Sequence, residues 1–337
     1  MPAHVALVAM LILAPLAFAG TRGIAHADAC IVFEVVDETG LPVPKAVVNC
    51  EALLPPSARY KGKSSDTFSG TTDAEGRVEV RIVAYDDMKC VFTKREYYDS
   101  VVTYRFHGRV TPDVVDGRWQ PWASKETVVL KRIRNPIPMY AKRVDVDVPE
   151  TGKAVGYDLE KGDWVSPYGK GIVPDLAVTV TGQTDGTSEA DTQMVVTFQN
   201  PGDGIASYTV PLSNDMPSGS ILVSAHEAPE TGYDPEYRYA MRYRPKAEDQ
   251  VNVVPCNSLN FYFRVRSEMT DEGERAQAWY GKMYGDLIAH FHYGKTIRIS
   301  FTYYLNPDGT RNVEYDPKRN LFRWSRDEER GQDPCGP

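Results

Sequence analysis

The chain has 337 residues, with 38 Lys and Arg against 46 Asp and Glu, and a formal net charge of −8. That balance argues against non-specific binding to nucleic acid or to an anionic membrane surface. The length suffices for two separate hydrophobic cores, and 20 tyrosines, many Thr and Val and few helical periodicities favour β-structure.

Val5 to Phe18 is an apolar run of signal-peptide length, short for a membrane span. Ala17-Phe18-Ala19 or Ala25-His26-Ala27 supplies a small-x-small cleavage site, so residues 1–27 read as a signal peptide. The mature chain is then secreted, periplasmic or part of the cell envelope, with no membrane span beyond the signal segment. No Lys or Arg precedes the run, which leaves an uncleaved anchor as the alternative. Cys30 follows Ala27-Asp28-Ala29 rather than a lipobox.

From Cys30 the chain reads as strand, turn and strand. Ile31, Phe33 and Val35 share one face of an extended segment and Glu34 lies on the other. Residues 37–40 turn the chain, and Pro42 and Pro44 lack the amide donors that a central strand needs. Pairing resumes over Lys45 to Cys50, where Ala46, Val48 and Cys50 are in phase. The polar stretch Pro55 to Ser69 reads as a loop. A turn at Asp73 to Gly76 then feeds a strand with Val78 and Val80 on one face, followed by strand-like segments at Met88 to Thr93 and Ser100 to Phe106. This is the rhythm of a sandwich.

Five cysteines include no Cys-x-x-Cys pair of the zinc or redox kind. Cys50 is in phase with Val48 and Cys90 with Phe92, so both point into the first core, as a disulfide after export or as two buried thiols. Cys256 and Cys335 make a weaker pair. Asp73 and Glu75 put two carboxylates in one tight turn, a partial calcium pattern or simply a solvated turn, since further carboxylates at fixed offsets are missing.

Three stretches carry a family resemblance: Val36-Asp37-Glu38-Thr39-Gly40-Leu41-Pro42-Val43 with Ala46-Val47-Val48; Thr72-Asp73-Ala74-Glu75-Gly76-Arg77-Val78; and Thr93-Lys94-Arg95-Glu96-Tyr97-Tyr98. Together they resemble the carboxypeptidase regulatory-like, transthyretin-like β-sandwich, which spaces D-x-x-G-x-P, T-D-x-x-G and K-x-G-Y in this way. The chain departs from that pattern at Glu96, where a turn glycine is usual, and in an insertion between Tyr60 and Ser69. The resemblance implies an accessory or binding module without catalytic residues.

Asn135-Pro136-Ile137-Pro138 stiffens the chain and follows Lys131, Arg132 and Arg134, marking a domain boundary. Beyond it, alternation recurs in Val144 to Val148, in Leu176, Val178 and Val180, in Met194, Val196 and Phe198, in Tyr208, Val210 and Leu212, and from Ile297 to Tyr303. The expected architecture is all-β, with two β-sandwich domains in tandem: residues 30–132, then a larger antiparallel sandwich over 136–325, with a flexible tail at 326–337.

Chemistry-bearing motifs are few. His226-Glu227 is not followed by the second histidine of a zinc protease, and Gly294-Lys295-Thr296 lacks the earlier glycine of a phosphate loop. Asp145 with Asp147, and His290 with His292, each share a strand face, compatible with a metal pair or, for the aspartates, an acid/base pair, but equally with a solvated face or an ordinary strand. No catalytic residue, metal ligand set or cofactor is assigned. Trp164 and Tyr168 lie between glycines in residues 162–171, either plugging the domain interface or standing out as sugar-stacking platforms.

The richest pattern is in three expected antiparallel strands, Asn260 to Arg266, Ala278 to Asp286 and Thr296 to Leu305. With Phe261, Phe263 and Val265 inward beside Ile297, Ile299, Phe301 and Tyr303, the opposite face carries Tyr262, Arg264, Arg266, Tyr280, Lys282, Tyr284, Arg298 and Tyr304. Such a basic, tyrosine-rich face suits an acidic glycan if exposed. Otherwise it is merely solvated or covered by residues 237–243. The function expected from these features is an exported, non-catalytic binding or structural module, partnered by an acidic glycan or an envelope protein. The alternatives are a secreted polysaccharide hydrolase or lyase, or a subunit of an envelope assembly.

Overall fold

The computed structural model describes residues 26–54, 63–106, 114–185, 190–210, 212–213, 216–243, 259–273, 275–285, 287–292, 296–323, 332–334 and 336–337. The apolar run Val5 to Phe18, Cys256, Asp286 and Cys335 lie outside them. The chain is all-β.

The first strands are β1 (Ala27–Asp37), β2 (Val47–Leu53), β3 (Ser65–Thr71), β4 (Arg77–Ala84), β5 (Asp87–Thr93), β6 (Ser100–Arg105), β7 (Val114–Val115), β8 (Arg118–Trp119) and β9 (Ser124–Leu130). In one sheet β1 is antiparallel to β4 and parallel to β9. The other sheet runs β6-β5-β2-β3. Period-2 alternation sends Ile31, Phe33 and Val35 from one sheet and Val48, Cys50, Met88 and Phe92 from the other into a shared core. Cys50 and Cys90 are directly opposite in the β2–β5 ladder and joined as a disulfide, with Cα atoms 4.0 Å apart.

Local polar chemistry sets the turns. Asp37 Oδ1 accepts from the Thr39 amide (2.9 Å) and hydroxyl (2.6 Å), holding the carboxyl below its usual range. Asp73 Oδ1 is likewise occupied by the amides of Glu75 and Arg77. Gly76 has φ +74°, and a Cβ there would lie 2.4 Å from the Val35 carbonyl oxygen, so a side chain is excluded. Glu96 occupies the left-handed region at φ 69°. The polar stretch before residue 70 is not all loop: β3 pairs with β2 from Leu53↔Ser65 to Val47↔Thr71, because an edge strand facing water needs few apolar residues.

The later strands are β10 (Ile137–Asp147), β11 (Ala154–Asp158), β12 (Asp163–Trp164), β13 (Leu176–Thr184), β14 (Ala190–Thr197), β15 (Gly204–Thr209), β16 (Leu212–Ser213), β17 (Met216–Pro217), β18 (Gly219–Ser220), β19 (Glu236–Tyr243), β20 (Leu259–Met269), β21 (Arg275–Met283), β22 (Ile288–His292), β23 (Thr296–Asn306) and β24 (Tyr315–Asn320). One sheet has the order β15-β20-β21-β23-β10-β24, with β22 hairpinned onto β23, and the facing sheet is β12-β11-β13-β14-β19. Between them pack Phe261, Phe263, Val265, Ile299 and Phe301 against Tyr157, Val178, Val180, Met194 and Val196. The inward set expected for β20 and β23 is thus the set observed. Between the second and third of the expected strands lies β22, which carries the His290 and His292 strand face.

Gly281 shows how tight this layer is. A Cβ there would come within 2.1 Å of Phe263 Cζ and 2.5 Å of the Tyr304 carbonyl oxygen.

The short strand β18 belongs to neither later sheet. It pairs antiparallel with β6, through Gly219↔Val101 and Ser220↔Ser100, and so joins the first sandwich.

Candidate binding groove and a buried tyrosine face

The β20–β21–β23 ladder brings together most of the predicted basic and tyrosine residues. Tyr262 is opposite Lys282, Arg264 opposite Tyr280, and Lys282 opposite Tyr304. That face is buried. Tyr262, Arg264, Tyr280, Lys282 and Tyr304 are all 8% exposed or less, and with Met139, Ala228, Val313 and Tyr315 they form a second layer of core. The covering chain is not residues 237–243, which form β19 in the facing sheet and pack on the opposite side, with Tyr237 edge-on to Phe261. It is the stretch around Ser224 to Tyr233 instead. The Ala225 amide donates to the Tyr262 hydroxyl at 2.7 Å, Arg264 Nη1 donates to the Glu230 carbonyl at 3.1 Å, and its guanidinium stacks 4.3 Å over Tyr233. The face therefore offers no exposed surface to an acidic glycan.

Lys282 is fully buried. Its Nζ donates to the Tyr284 hydroxyl at 2.8 Å and to Ser224 Oγ at 3.3 Å, and lies over the rings of Tyr284 and Tyr304. Burial, reinforced by Lys131, pushes its pKa well below the ordinary lysine value.

Arg266 leaves the face on which sequence alternation puts it. Its φ of 55° and the register shift after Val265 turn its side chain to the other side of the sheet, over Trp279 at 4.3 Å. There it binds Asp175 (Nε to Oδ1, 2.8 Å), Glu160 (2.6 Å) and Asp158 (3.2 Å). Burial alone would lower its pKa, but the carboxylates outweigh burial and raise it. Burial pulls Asp158 upward, yet the amides of Val173, Ile172 and Lys161 hold it below its usual value, while burial dominates at Asp175 and raises it.

Arg298 stands apart, ion-paired with Asp145 (3.1 Å) and Asp147 (3.6 Å), which accounts for that aspartate pair. Trp164 is buried in the second sandwich, edge-on to Tyr157, with its indole donating to the Asp147 carbonyl. It plugs that core rather than a domain interface. Tyr168 is 44% exposed and donates to Glu150.

Residues to which sequence reasoning gave no such role build the seam between the two sandwiches. Glu314, 1% exposed, accepts from the Tyr98 hydroxyl (2.8 Å) and from the amides of Arg134 (2.9 Å) and Asn135 (2.7 Å). His226 lies between Glu38 (3.3 Å) and the Arg132 carbonyl (2.7 Å). Lys131 Nζ donates to the carbonyls of Val223 (3.1 Å) and Ser224 (2.8 Å), and burial lowers its pKa. No local pattern marks these residues, because each partner is distant in sequence.

Beside the seam is a groove of about 590 Å³. Its walls come from Val101 and Val102 of β6, Val128 and Val129 of β9, and Leu222 and Val223 beyond β18, with Lys131 also on its border. Glu126, Thr127 and two serines interrupt the apolar lining, and of these Ser218 and Ser220 Oγ are buried and have no hydrogen-bond partner among the described residues. A groove of this size, mostly apolar with a few polar groups, has the character of a ligand site. Among the described residues, no group of three or more His, Cys, Asp or Glu is placed to hold a metal ion, and no helix is long and apolar enough to cross a membrane.

No protein-family model matches the chain, and no curated protein sequence matches it. Among solved structures, 3-chlorocatechol 1,2-dioxygenase from Rhodococcus opacus 1CP is similar at 14% identity and a TM-score of 0.25, over 36% of this chain and 71% of that one. A variant of the shaft pilin SpaA from Lactobacillus rhamnosus GG is similar at 11% identity and a TM-score of 0.22, over 54% of this chain and 90% of that one. BcpA, the major pilin subunit of Bacillus cereus, is similar at 11% identity and a TM-score of 0.19, over 81% and 95% respectively. Scores this low carry no argument about activity.

Proposed function

We propose that the protein is an exported, non-catalytic module of the cell envelope or extracellular space that works by binding, and that it binds in the groove between β6 and β9. The groove itself carries this reading, since it leaves apolar walls and two buried hydroxyls without protein partners. Export is supported by the Cys50–Cys90 bridge at the centre of the first core, which needs an oxidising compartment, and by the apolar run near the N-terminus. In the same reading residues 30–132 and 136–325 are two modules, the first with the transthyretin-like topology that its motifs imply.

The test is saturable one-to-one binding of the apolar dye anilinonaphthalene sulfonate to the mature protein, lost when Ser220→Trp fills the groove. Binding that never saturates, or that Ser220→Trp leaves intact, overturns the groove assignment. Turnover of any polysaccharide overturns the non-catalytic reading, and a reduced Cys50–Cys90 pair in protein recovered from cells overturns export.

A further inference from the structure

The groove is bounded by two strand edges. Among the described residues β9 is paired on one side only, with β1. Val129 O accepts from Ser100 Oγ at 2.7 Å, so the Val129 backbone points away from β1. By the two-residue period of a strand, the amide and carbonyl of Thr127 point the same way, along the groove. Across from it, β6 is bonded to β5 from Ser100 to Arg105, but among the described residues only Ser100 and Val101 have strand partners on its outer side, the two residues of β18, with β16 and β17 lying close by. The sandwich is thus unclosed where the last strand of one sheet faces the last strand of the other, and the chain has already laid one short strand there.

Unpaired edges beside an apolar trough define what fits. A ligand must offer backbone donors and acceptors at strand spacing, and apolar side chains on alternate residues to meet Val102, Val128 and Leu222. The unpartnered hydroxyls of Ser218 and Ser220 add hydrogen-bonding groups next to the strand already seated. An alkyl chain fills the trough but leaves both hydroxyls and the Thr127 backbone unsatisfied, at a cost that a peptide avoids.

We propose that the groove takes up an extended peptide segment of a partner protein, with apolar residues at alternate positions, as an added strand between β6 and β9. This rests on the groove being the binding site, and the experiment separates the two ideas. Dye is bound to the full mature chain and displaced with a blocked heptapeptide alternating Thr and Val, with the same peptide carrying Pro in place of the central Thr residues, or with laurate. The alternating peptide should displace the dye, and the proline peptide should be weaker on the order of tenfold, for about two lost backbone hydrogen bonds.

In Thr127→Pro, which removes an outward amide and spares the β1 ladder, peptide affinity should fall on the order of tenfold further than dye affinity does, and an equal fall in both overturns the strand-addition proposal. Should that variant not fold, the two peptides on the parent protein still decide. Displacement by laurate with none by peptide assigns the groove to a lipid and overturns the proposal, as does equal binding of both peptides. Absence of dye binding defeats the groove assignment itself.

Discussion

The first sandwich closes around Val48, Met88, Phe33 and Phe92, side chains that ask nothing of their neighbours but contact, with the Cys50–Cys90 bridge among them, whereas the outer face of β20, β21 and β23 closes around Lys282, Arg264 and a set of tyrosines. The first layer is tolerant, because an apolar core survives substitutions that conserve volume. The second depends on partners, because every buried donor needs an acceptor and one missing oxygen leaves a charge or a hydroxyl stranded. The same division recurs two residues apart on β20, where Arg264 is held by carbonyl oxygens and a ring and Arg266 by three carboxylates.

The most severe way to break the polar side of this comparison is Arg266→Ala. It strands the carboxylates of Asp158 and Asp175 without their counter-charge and should cost about 3–5 kcal/mol, read as a fall in the urea midpoint. A loss below 1 kcal/mol would show that the amides around Asp158 suffice on their own.

On the apolar side, replacing Cys50 and Cys90 together by Ala should cost about 2–4 kcal/mol. The measurement is the same denaturation curve, and an unchanged midpoint would mean that the bridge constrains little.

Lys282→Met sharpens the comparison by converting polar burial to apolar. Because the buried amine has its pKa depressed below the unfolded value of about 10.4, the unfolded chain holds the extra proton between the two values, and stability rises with pH through that window. That contribution is complete above the unfolded value and is lost as pH falls through the depressed one. The Met variant should lose this slope and be as stable as the parent at neutral pH, or more stable by about 1 kcal/mol. A variant that keeps the slope would place its origin elsewhere.

The smallest effect concerns a turn of the first sandwich. Glu96→Gly relieves a left-handed backbone conformation and should change stability by no more than about 1 kcal/mol, in the stabilising direction. A clear loss would mean that the Glu96 side chain contributes more than its backbone costs.

How far the sequence foretells this depends on the range of the interaction. Strand faces such as Ile31–Phe33–Val35 and Phe261–Phe263–Val265 are local, because alternation encodes them directly. Alternation also puts Tyr262, Arg264, Tyr280, Lys282 and Tyr304 correctly on one face, but it does not tell whether water or protein meets that face. The cover comes from Ser224 to Tyr233, a stretch with no periodicity of its own. Arg266 departs from its expected side because a bulge adds a residue to the count, and nothing in Val265-Arg266-Ser267 announces it. The groove is the least legible feature, being a property of two strand edges and β18, which are far apart in the chain.

One pairing described above also has a mechanical meaning. β1 and β9 run parallel through seven register pairs, from Ile31↔Ser124 to Asp37↔Leu130, and the first is the entry strand of the sandwich while the second leads into the next one. Tension applied between the start of β1 and the end of β9 therefore slides the two strands past each other, loading the ladder in shear, so that its hydrogen bonds must give way together rather than peel apart in turn. Such a geometry lets a chain held at both ends carry force through its first sandwich. Single-molecule pulling from those two points should meet higher resistance than pulling from the start of β1 and the end of β4, its antiparallel neighbour, where the same direction of force unzips the ladder.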